Sequence, residues 1–322
     1  MHHCRRRGAL GRSGKRLLSE AISAKNDSSV ADLIGSGTEL LSAGGVPSPS
    51  VDAELLIAHV LELSRGELRV RAVIGATVPA EQEDLVRQLF ARRAAREPLQ
   101  HITGIAPFRN LELCVGPGVF VPRPETETVV QFAIDALNAS ATPEPIGVDL
   151  GTGSGAIALS MATEVPRSRI YAVELSPDAM PYTSENFRRY GSDNATLVNS
   201  DLGEAFTELD GTVDVVISNP PYIPVAAIPR DIEVQLHDPA LALYGGEDGL
   251  DVVRRVSITA QRLLHQGGTL VLEHGEEQAS AIAALLTADG WNAVARHKDL
   301  LGRDRATTAL LSRPSPARLF SD

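Results

Sequence analysis

The sequence predicts an α/β chain built on a mostly parallel sheet with helices on both faces, preceded by a small helical domain and a β-hairpin connector. Three observations carry that reading. From Pro145 onward, short apolar and partly β-branched runs alternate with helical stretches. Before Glu97 the apolar residues recur at spacings of three and four. Between Leu99 and Pro124 short β-like pieces are broken by glycine and proline.

At 322 residues, the chain has room for about two domains. Residues 1–27 are set apart by charge, with seven Lys/Arg against one acid over residues 1–25. This head lacks the continuous apolar core of a secretory signal and reads as a disordered extension. Residues 28–97 form the helical domain, with Val51, Leu55, Leu56, Ala58 and Leu63 marking one apolar face and Leu85, Val86, Leu89 and Phe90 another. The run from Gly44 to Ser50 separates two of its helices, and Ser50 is the expected N-cap. Residues 98–124 form the connector, with strands expected at Leu111 to Val115 and Val119 to Val121.

Residues 125–322 complete the α/β domain. Parallel strands are expected at Ile146 to Leu150, Arg169 to Glu174, Thr196 to Asn199, Val213 to Ser218 and Thr269 to Glu273. Helices are expected at Ala156 to Glu164 and Asp178 to Tyr190, and a closing antiparallel pair at Trp291 to His297 and Ala306 to Leu311.

The composition excludes several classes. No stretch approaches the roughly 18 to 20 apolar residues of a membrane span. Cys4 and Cys114 are the only cysteines, too few for a disulfide framework, and no Cys/His cluster has zinc spacing. A reducing cytoplasm and no metal are therefore expected. The chain carries a net charge of −11, and residues 101–322 hold sixteen basic against twenty-nine acidic residues. Such a body repels a phosphate backbone, so direct nucleic-acid binding is not expected.

The first chemical signal is Gly151-Thr152-Gly153-Ser154-Gly155, which follows the strand ending Asp149-Leu150 and opens a helix. Glycines are needed where a backbone turns sharply and must approach a ligand. A phosphate-binding P-loop would require Gly-Lys-Ser/Thr, whereas Gly155 is followed by Ala156-Ile157; the dinucleotide spacing G-x-G-x-x-G is also absent. Glu174 ends the next strand, about 20 residues after the loop, where a carboxylate can accept both ribose hydroxyls. Asp201 follows the third strand, in reach of an adenine amino group, with Leu202 packing on the ring. These elements together resemble the class I S-adenosylmethionine-dependent methyltransferase fold, a Rossmann-like architecture, and S-adenosylmethionine is the expected cofactor.

The second signal is Asn219-Pro220-Pro221-Tyr222, delivered by the fourth strand to the same sheet edge. An amide or exocyclic amine nitrogen is a poor nucleophile because its lone pair is delocalised. The Asn219 side-chain carbonyl and the Pro220 backbone carbonyl can each accept one N–H of such a group, stabilising positive charge as it develops. Prolines stiffen the loop through their fixed φ, and Tyr222 offers a flat face. The tetrapeptide alone leaves open whether the acceptor is a protein amide or the amino group of adenine or cytosine.

With this motif in place, the chain resembles the HemK-type peptide-chain release factor glutamine methyltransferases over roughly residues 30–313. The resemblance extends through Pro98-Leu99-Gln100-His101-Ile102-Thr103-Gly104, Val121-Pro122-Arg123-Pro124-Glu125-Thr126-Glu127, Ala242 to Leu250, and Leu272-Glu273-His274-Gly275. It implies methylation of the glutamine in the Gly-Gly-Gln loop of release factors, which the helical domain would help to dock. It further implies that Asp149, Gly151, Thr152, Gly153, Ser154, Gly155, Glu174, Asp201, Leu202 and Asn219 meet the cofactor. Asn219, Pro220, Pro221 and Tyr222 would meet the substrate, with Asn219, Pro220 and Tyr222 carrying the catalysis. Asp238-Pro239 stands where the family more often has Glu-Pro, and Leu202 replaces an aromatic seen in some members. A sister group acting on a ribosomal-protein glutamine differs after Pro122-Arg123, which favours release factors. The alternatives are an amino-methyltransferase of nucleic acid and a non-catalytic binding module.

Overall fold

The computed structural model describes residues 27–191 and 193–312, and all but one residue of the basic head lies outside them. The chain divides into two units after Gly104. The first holds α1 (Val30–Ala43), α2 (Pro49–Val60), α3 (Arg65–Val73), α4 (Ala80–Ala94) and α5 (Leu99–Thr103). Leu33, Leu41, Leu56, Ile57, Leu68, Val86 and Phe90 form its core. Two starts are set by side-chain caps. Ser29 Oγ accepts the Asp32 N–H, and Ser64 and Glu67 form a reciprocal capping box. Ser50 is not the cap of α2, because Pro49 begins the helix one residue earlier. Its fixed φ suits a first helical position, and its missing N–H is no loss there. A buried ion pair between Arg93 and Asp52, at 2.8 Å, ties α4 to α2.

The second unit begins with β1 (Ile105–Phe108) and β2 (Leu111–Cys114), an antiparallel hairpin. This corrects the expected hairpin, because Val119 to Val121 forms no strand and Ile105 to Phe108 does. Pro107 discourages a strand assignment, yet proline is tolerated on the edge of a two-stranded ribbon. Helix α5 and the hairpin thus fall in different units, so residues 98–124 are not one structural piece.

The remaining elements are α6 (Pro124–Ala139), β3 (Ile146–Leu150), α7 (Ala156–Glu164), β4 (Arg169–Glu174), α8 (Met180–Tyr190), β5 (Ala195–Asn199), β6 (Val213–Ser218), α9 (Ile232–His237), α10 (Ala240–Leu243), α11 (Asp251–Leu263), β7 (Leu264–Glu273), α12 (Ala279–Ala288), β8 (Asn292–Lys298) and β9 (Asp304–Leu310). The seven-stranded sheet has the order β5-β4-β3-β6-β7-β9-β8. Strands β3 to β7 run parallel, and β9 is antiparallel to both β7 and β8.

Side-chain alternation divides the core between the two sheet faces. Ile170, Ala172, Val215 and Ile217 pack with α6 and α7. Val148, Leu150, Val216 and Leu270 pack with α11 and α12. The chain winds outward from β3 through β4 to β5, then crosses back to place β6 on the other side of β3. The carboxyl ends of β3 and β6 therefore flank a topological switch point, where an open α/β sheet leaves a crevice. Among the described residues, no helix is long and apolar enough to cross a membrane.

Candidate active site

A cavity of about 670 Å³ opens at that switch point, lined by the ends of β3, β4 and β6 and by the segment carrying α9 and α10. Its first wall is the glycine loop. Gly151, Gly153 and Gly155 have φ of +78°, +56° and +87°, a region that glycine enters without steric cost. A Cβ on Gly151 or Gly153 would meet no atom within 4 Å, whereas one on Gly155 would lie 3.0 Å from Phe187 and 3.2 Å from Leu159. The first two therefore leave backbone bare to a ligand, and the third seats α7 against α8. Gly155→Ala is expected to destabilise the fold by about 1–3 kcal/mol through its left-handed φ alone. Chemical denaturation checks this, and an unchanged midpoint and slope would contradict it.

Helix α8 holds the loop from the side. Thr183 Oγ1 donates to Gly153 O at 2.5 Å and Asn186 Nδ2 to Ser154 O at 2.9 Å. Asp149 braces it from beneath. Its Oδ2 accepts from Thr152 Oγ1 at 2.6 Å and from the Ala158 N–H at 3.1 Å, and the residue is fully buried. Burial pushes its carboxyl up to about 7. The sequence puts Asp149 among the cofactor contacts, but it is absent from the cavity wall, which Thr152, Gly153 and Ser154 form. It shapes the loop without facing the cavity.

Glu174 does face the cavity, at the tip of β4. Its Oε2 accepts the Gly153 N–H at 2.8 Å and its Oε1 the Ser176 N–H at 2.7 Å. Each carboxylate oxygen keeps further acceptor capacity. Asp201 is partly engaged elsewhere, because its Oδ1 accepts from the Gly203 N–H at 2.8 Å and from Arg255. The Arg255 guanidinium holds its carboxyl below the usual range. That ion pair engages Oδ1 and leaves Oδ2 outside these bonds. Leu202 lines the same wall and supplies an apolar surface, with no aromatic face.

The opposite wall is the loop Asn219-Pro220-Pro221-Tyr222. Ser218 Oγ donates to Leu150 O at 2.6 Å, locking the tips of β6 and β3 together. Beyond it, Gln278 holds the loop with both ends of its amide. Nε2 donates to Tyr222 O at 2.9 Å, and Oε1 accepts the Gly275 N–H at 3.0 Å. Gly245 and Gly249 pack under the same stretch so closely that a Cβ on either would strike the carbonyl of Pro221 or Tyr222. The loop is therefore fixed before any substrate arrives. Burial and the nearby Glu273 push the Tyr222 phenol up to about 12, so it stays protonated around neutral pH.

Arg123 donates to Asp238 at 2.8 Å, which pins the segment between α9 and α10 to the entry of α6. Asp238, the departure noted in the sequence, thus keeps a carboxylate partner for this arginine. Sequence reasoning gave no site role to Gln278, Arg255 or Asn186, nor to Gly245 and Gly249, although these two glycines fall in the Ala242 to Leu250 stretch that carries the resemblance. Asn186, Arg255 and Gln278 bond to Ser154 and Cys114, to Asp201 and to Tyr222, 32 to 72 residues away, and no local pattern marks such pairings.

Two family profiles match the chain. One described as PrmC N-terminal domain covers residues 32–104, and one described as Methyltransferase small domain covers residues 110–240. The chain is similar to a release factor glutamine methyltransferase of Streptomyces coelicolor, 51% identical over 289 residues, covering 87% of this chain and 98% of that protein. A second one, from Bifidobacterium longum, is 44% identical, with coverage of 86% and 97%. A relative with another substrate, the 4-amino-L-phenylalanine/4-methylamino-L-phenylalanine methyltransferase of Streptomyces pristinaespiralis, is 40% identical, with coverage of 81% and 88%.

Proposed function

The chain belongs to the release factor glutamine methyltransferases, and from that premise we propose that it transfers a methyl group from S-adenosylmethionine to the side-chain amide nitrogen of the glutamine in the Gly-Gly-Gln loop of peptide chain release factors. One observation carries the assignment to this site: a rigidly seated Asn219-Pro220-Pro221-Tyr222 loop opens onto the same cavity as the bare backbone of Gly151 and Gly153.

The donor set fits this cofactor. Gly151 and Gly153 would admit its amino-acid end, Glu174 would accept from its ribose hydroxyls, and Leu202 would pack against its base. Acidic surroundings suit a cation. When bound, S-adenosylmethionine would supply a methyl group activated by the positive charge of its sulfonium, its carbon–sulfur bond breaking with the electron pair left on a neutral thioether. Asn219 Oδ1 and Pro220 O would each accept one N–H of the glutamine amide, aiming its lone pair and stabilising positive charge as the nitrogen–carbon bond forms. The extra proton becomes acidic only once the nitrogen carries the methyl group, so it departs to water and no base is needed beforehand. Positioning of this kind supplies roughly 7–11 kcal/mol.

The helical unit, residues 28–97, would dock the release factor. Val70, Val73 and Ile74 at the end of α3 stand 61%, 87% and 72% exposed, an apolar patch suited to a protein partner. The cytoplasm, where translation ends, is the matching compartment.

Incubation with labelled S-adenosylmethionine and, in parallel, release factor, DNA and free 4-amino-L-phenylalanine tests the reading. Label is expected on one glutamine of the release factor. Label on the free amino acid or on DNA, with none on release factor, would overturn it. The 40%-identical relative makes the aryl-amine arm worth including, since an aryl amine also delocalises its lone pair.

A further inference from the structure

Glu273 ends β7 and is 1% exposed, yet nothing in the mechanism above uses it. Ser218 pairs with Leu272 in the parallel register of β6 and β7, so the next step along each strand brings Asn219 beside Glu273. The Thr126 and Asn219 side chains both lie close enough to its carboxylate to draw it down against the larger effect of burial. Even so, Oε2 has no partner in hydrogen-bonding geometry among the described residues. The charged and titratable groups facing it are Arg305 on β9, Glu125 on α6 and Tyr222 beyond β6. His274 adjoins it, but burial pushes that imidazole below its ordinary value, with Nε2 on Thr307 and Nδ1 on Gly275 O. Arg305 is engaged elsewhere, since its Nη1 donates to His274 O and its Nε, which makes no hydrogen bond, lies 3.9 Å from Asp299 Oδ2. A buried carboxylate without a close ion pair is expensive to keep.

An asparagine amide is nearly symmetrical in shape, with an acceptor at one end and two donors at the other. Left alone, Asn219 would offer the target nitrogen either Oδ1, which assists, or Nδ2, which repels. A carboxylate neighbour can only accept, so it takes Nδ2 and turns Oδ1 toward the cavity. We propose that Glu273 is a positioning residue for methyl transfer, its ionised carboxylate fixing the Asn219 amide with Oδ1 toward the glutamine nitrogen. This deepens the reading of Asn219 as the substrate acceptor and rests on it. When Glu273 is protonated it gains a donor, which can hold Oδ1 instead and leave Asn219 turned the unproductive way.

Burial pushes the Glu273 carboxyl up to about 7, so the productive form gains population as pH rises through neutrality. The sign for stability is opposite. A carboxyl whose folded value lies above its ordinary 4.5 favours its protonated form, so fold stability declines as pH rises from about 4.5 to about 7.

The test compares wild type, E273Q and E273D by methyl transfer to release factor at saturating substrates, from about pH 5.5 to 9. Wild-type kcat is expected to rise roughly tenfold per unit below pH 7 and to level off above. E273Q keeps the shape but can present either amide end. It should lose the pH limb and run on the order of tenfold slower at pH 8, with cofactor Kd unchanged and Tm no lower than wild type. E273D, still acceptor-only, should retain the limb at reduced rate. A limb that persists in E273Q would belong to Asp149 and would overturn the proposal. So would E273Q at wild-type rate, or a fall of Tm together with activity in both variants, which would mark a structural anchor. If instead N219A keeps its turnover, the acceptor reading itself has failed, and the two failures are distinct.

Discussion

Asn219→Ala is expected to lower kcat by on the order of 100- to 1,000-fold while leaving the dissociation constant for S-adenosylmethionine within about threefold of wild type. The size follows from what is removed. A half-buried acceptor would act where charge develops, and losing one such group typically raises the barrier by about 3–4 kcal/mol. Little else should move. Ser218 still locks β6 to β3 through Leu150 O, and Gln278 still holds Tyr222 O. Gly245 and Gly249 still support the carbonyls of Pro221 and Tyr222. The truncation therefore deletes an acceptor without releasing the loop that carries it. Steady-state kinetics with release factor, beside calorimetry with the cofactor alone, separates the two quantities. Retained turnover would contradict the hydrogen-bond role, and lost cofactor binding would move Asn219 to the other half of the site.

The fold was legible because its signals are local. Val213 to Ser218 and Ile146 to Leu150 are apolar runs whose ends match the observed strands, and Gly151 to Gly155 declares its turn by composition. The closing strands were also readable, although the sequence could not tell that β9 enters the sheet between β7 and β8. The errors share a cause. Pro107 hid a real strand because a pairing partner, not propensity, decides whether an edge tolerates proline. Ser50 looked like a cap because residue type outweighed the neighbouring Pro49. Within the site, sequence could name most of the groups that line the cavity but not those that hold them. Asp149 precedes the glycines and reads as a ligand contact, yet its direction depends on strand alternation, which turns it toward α7. Glu273 lies 54 positions from Asn219 in sequence and meets it only through the register of β6 with β7. Long-range pairing of this kind leaves no local trace.

Glu174→Ala is expected to weaken S-adenosylmethionine binding by more than about a hundredfold, with kcat at saturating cofactor within about threefold of wild type. Two effects add. Bonds from two ribose hydroxyls to a charged acceptor would be lost, each contributing roughly 1.5–3 kcal/mol where water is excluded. The loop would also lose its brace, since Glu174 accepts the Gly153 N–H and the Ser176 N–H at once. That double duty gives a sharper test in Glu174→Gln. A glutamine has one acceptor end, so either the Gly153 or the Ser176 N–H must face an NH2 group, and the ribose meets a donor where it needs an acceptor. The neutral isostere should therefore bind the cofactor almost as poorly as the alanine variant, although it keeps the size and most of the packing. A carboxylate acting only through its charge would give a different result, with glutamine intermediate and salt sensitivity shared by both variants. Calorimetry on the two proteins decides it: equal, large losses support the paired-acceptor geometry, and unchanged affinity in either would remove Glu174 from the ribose.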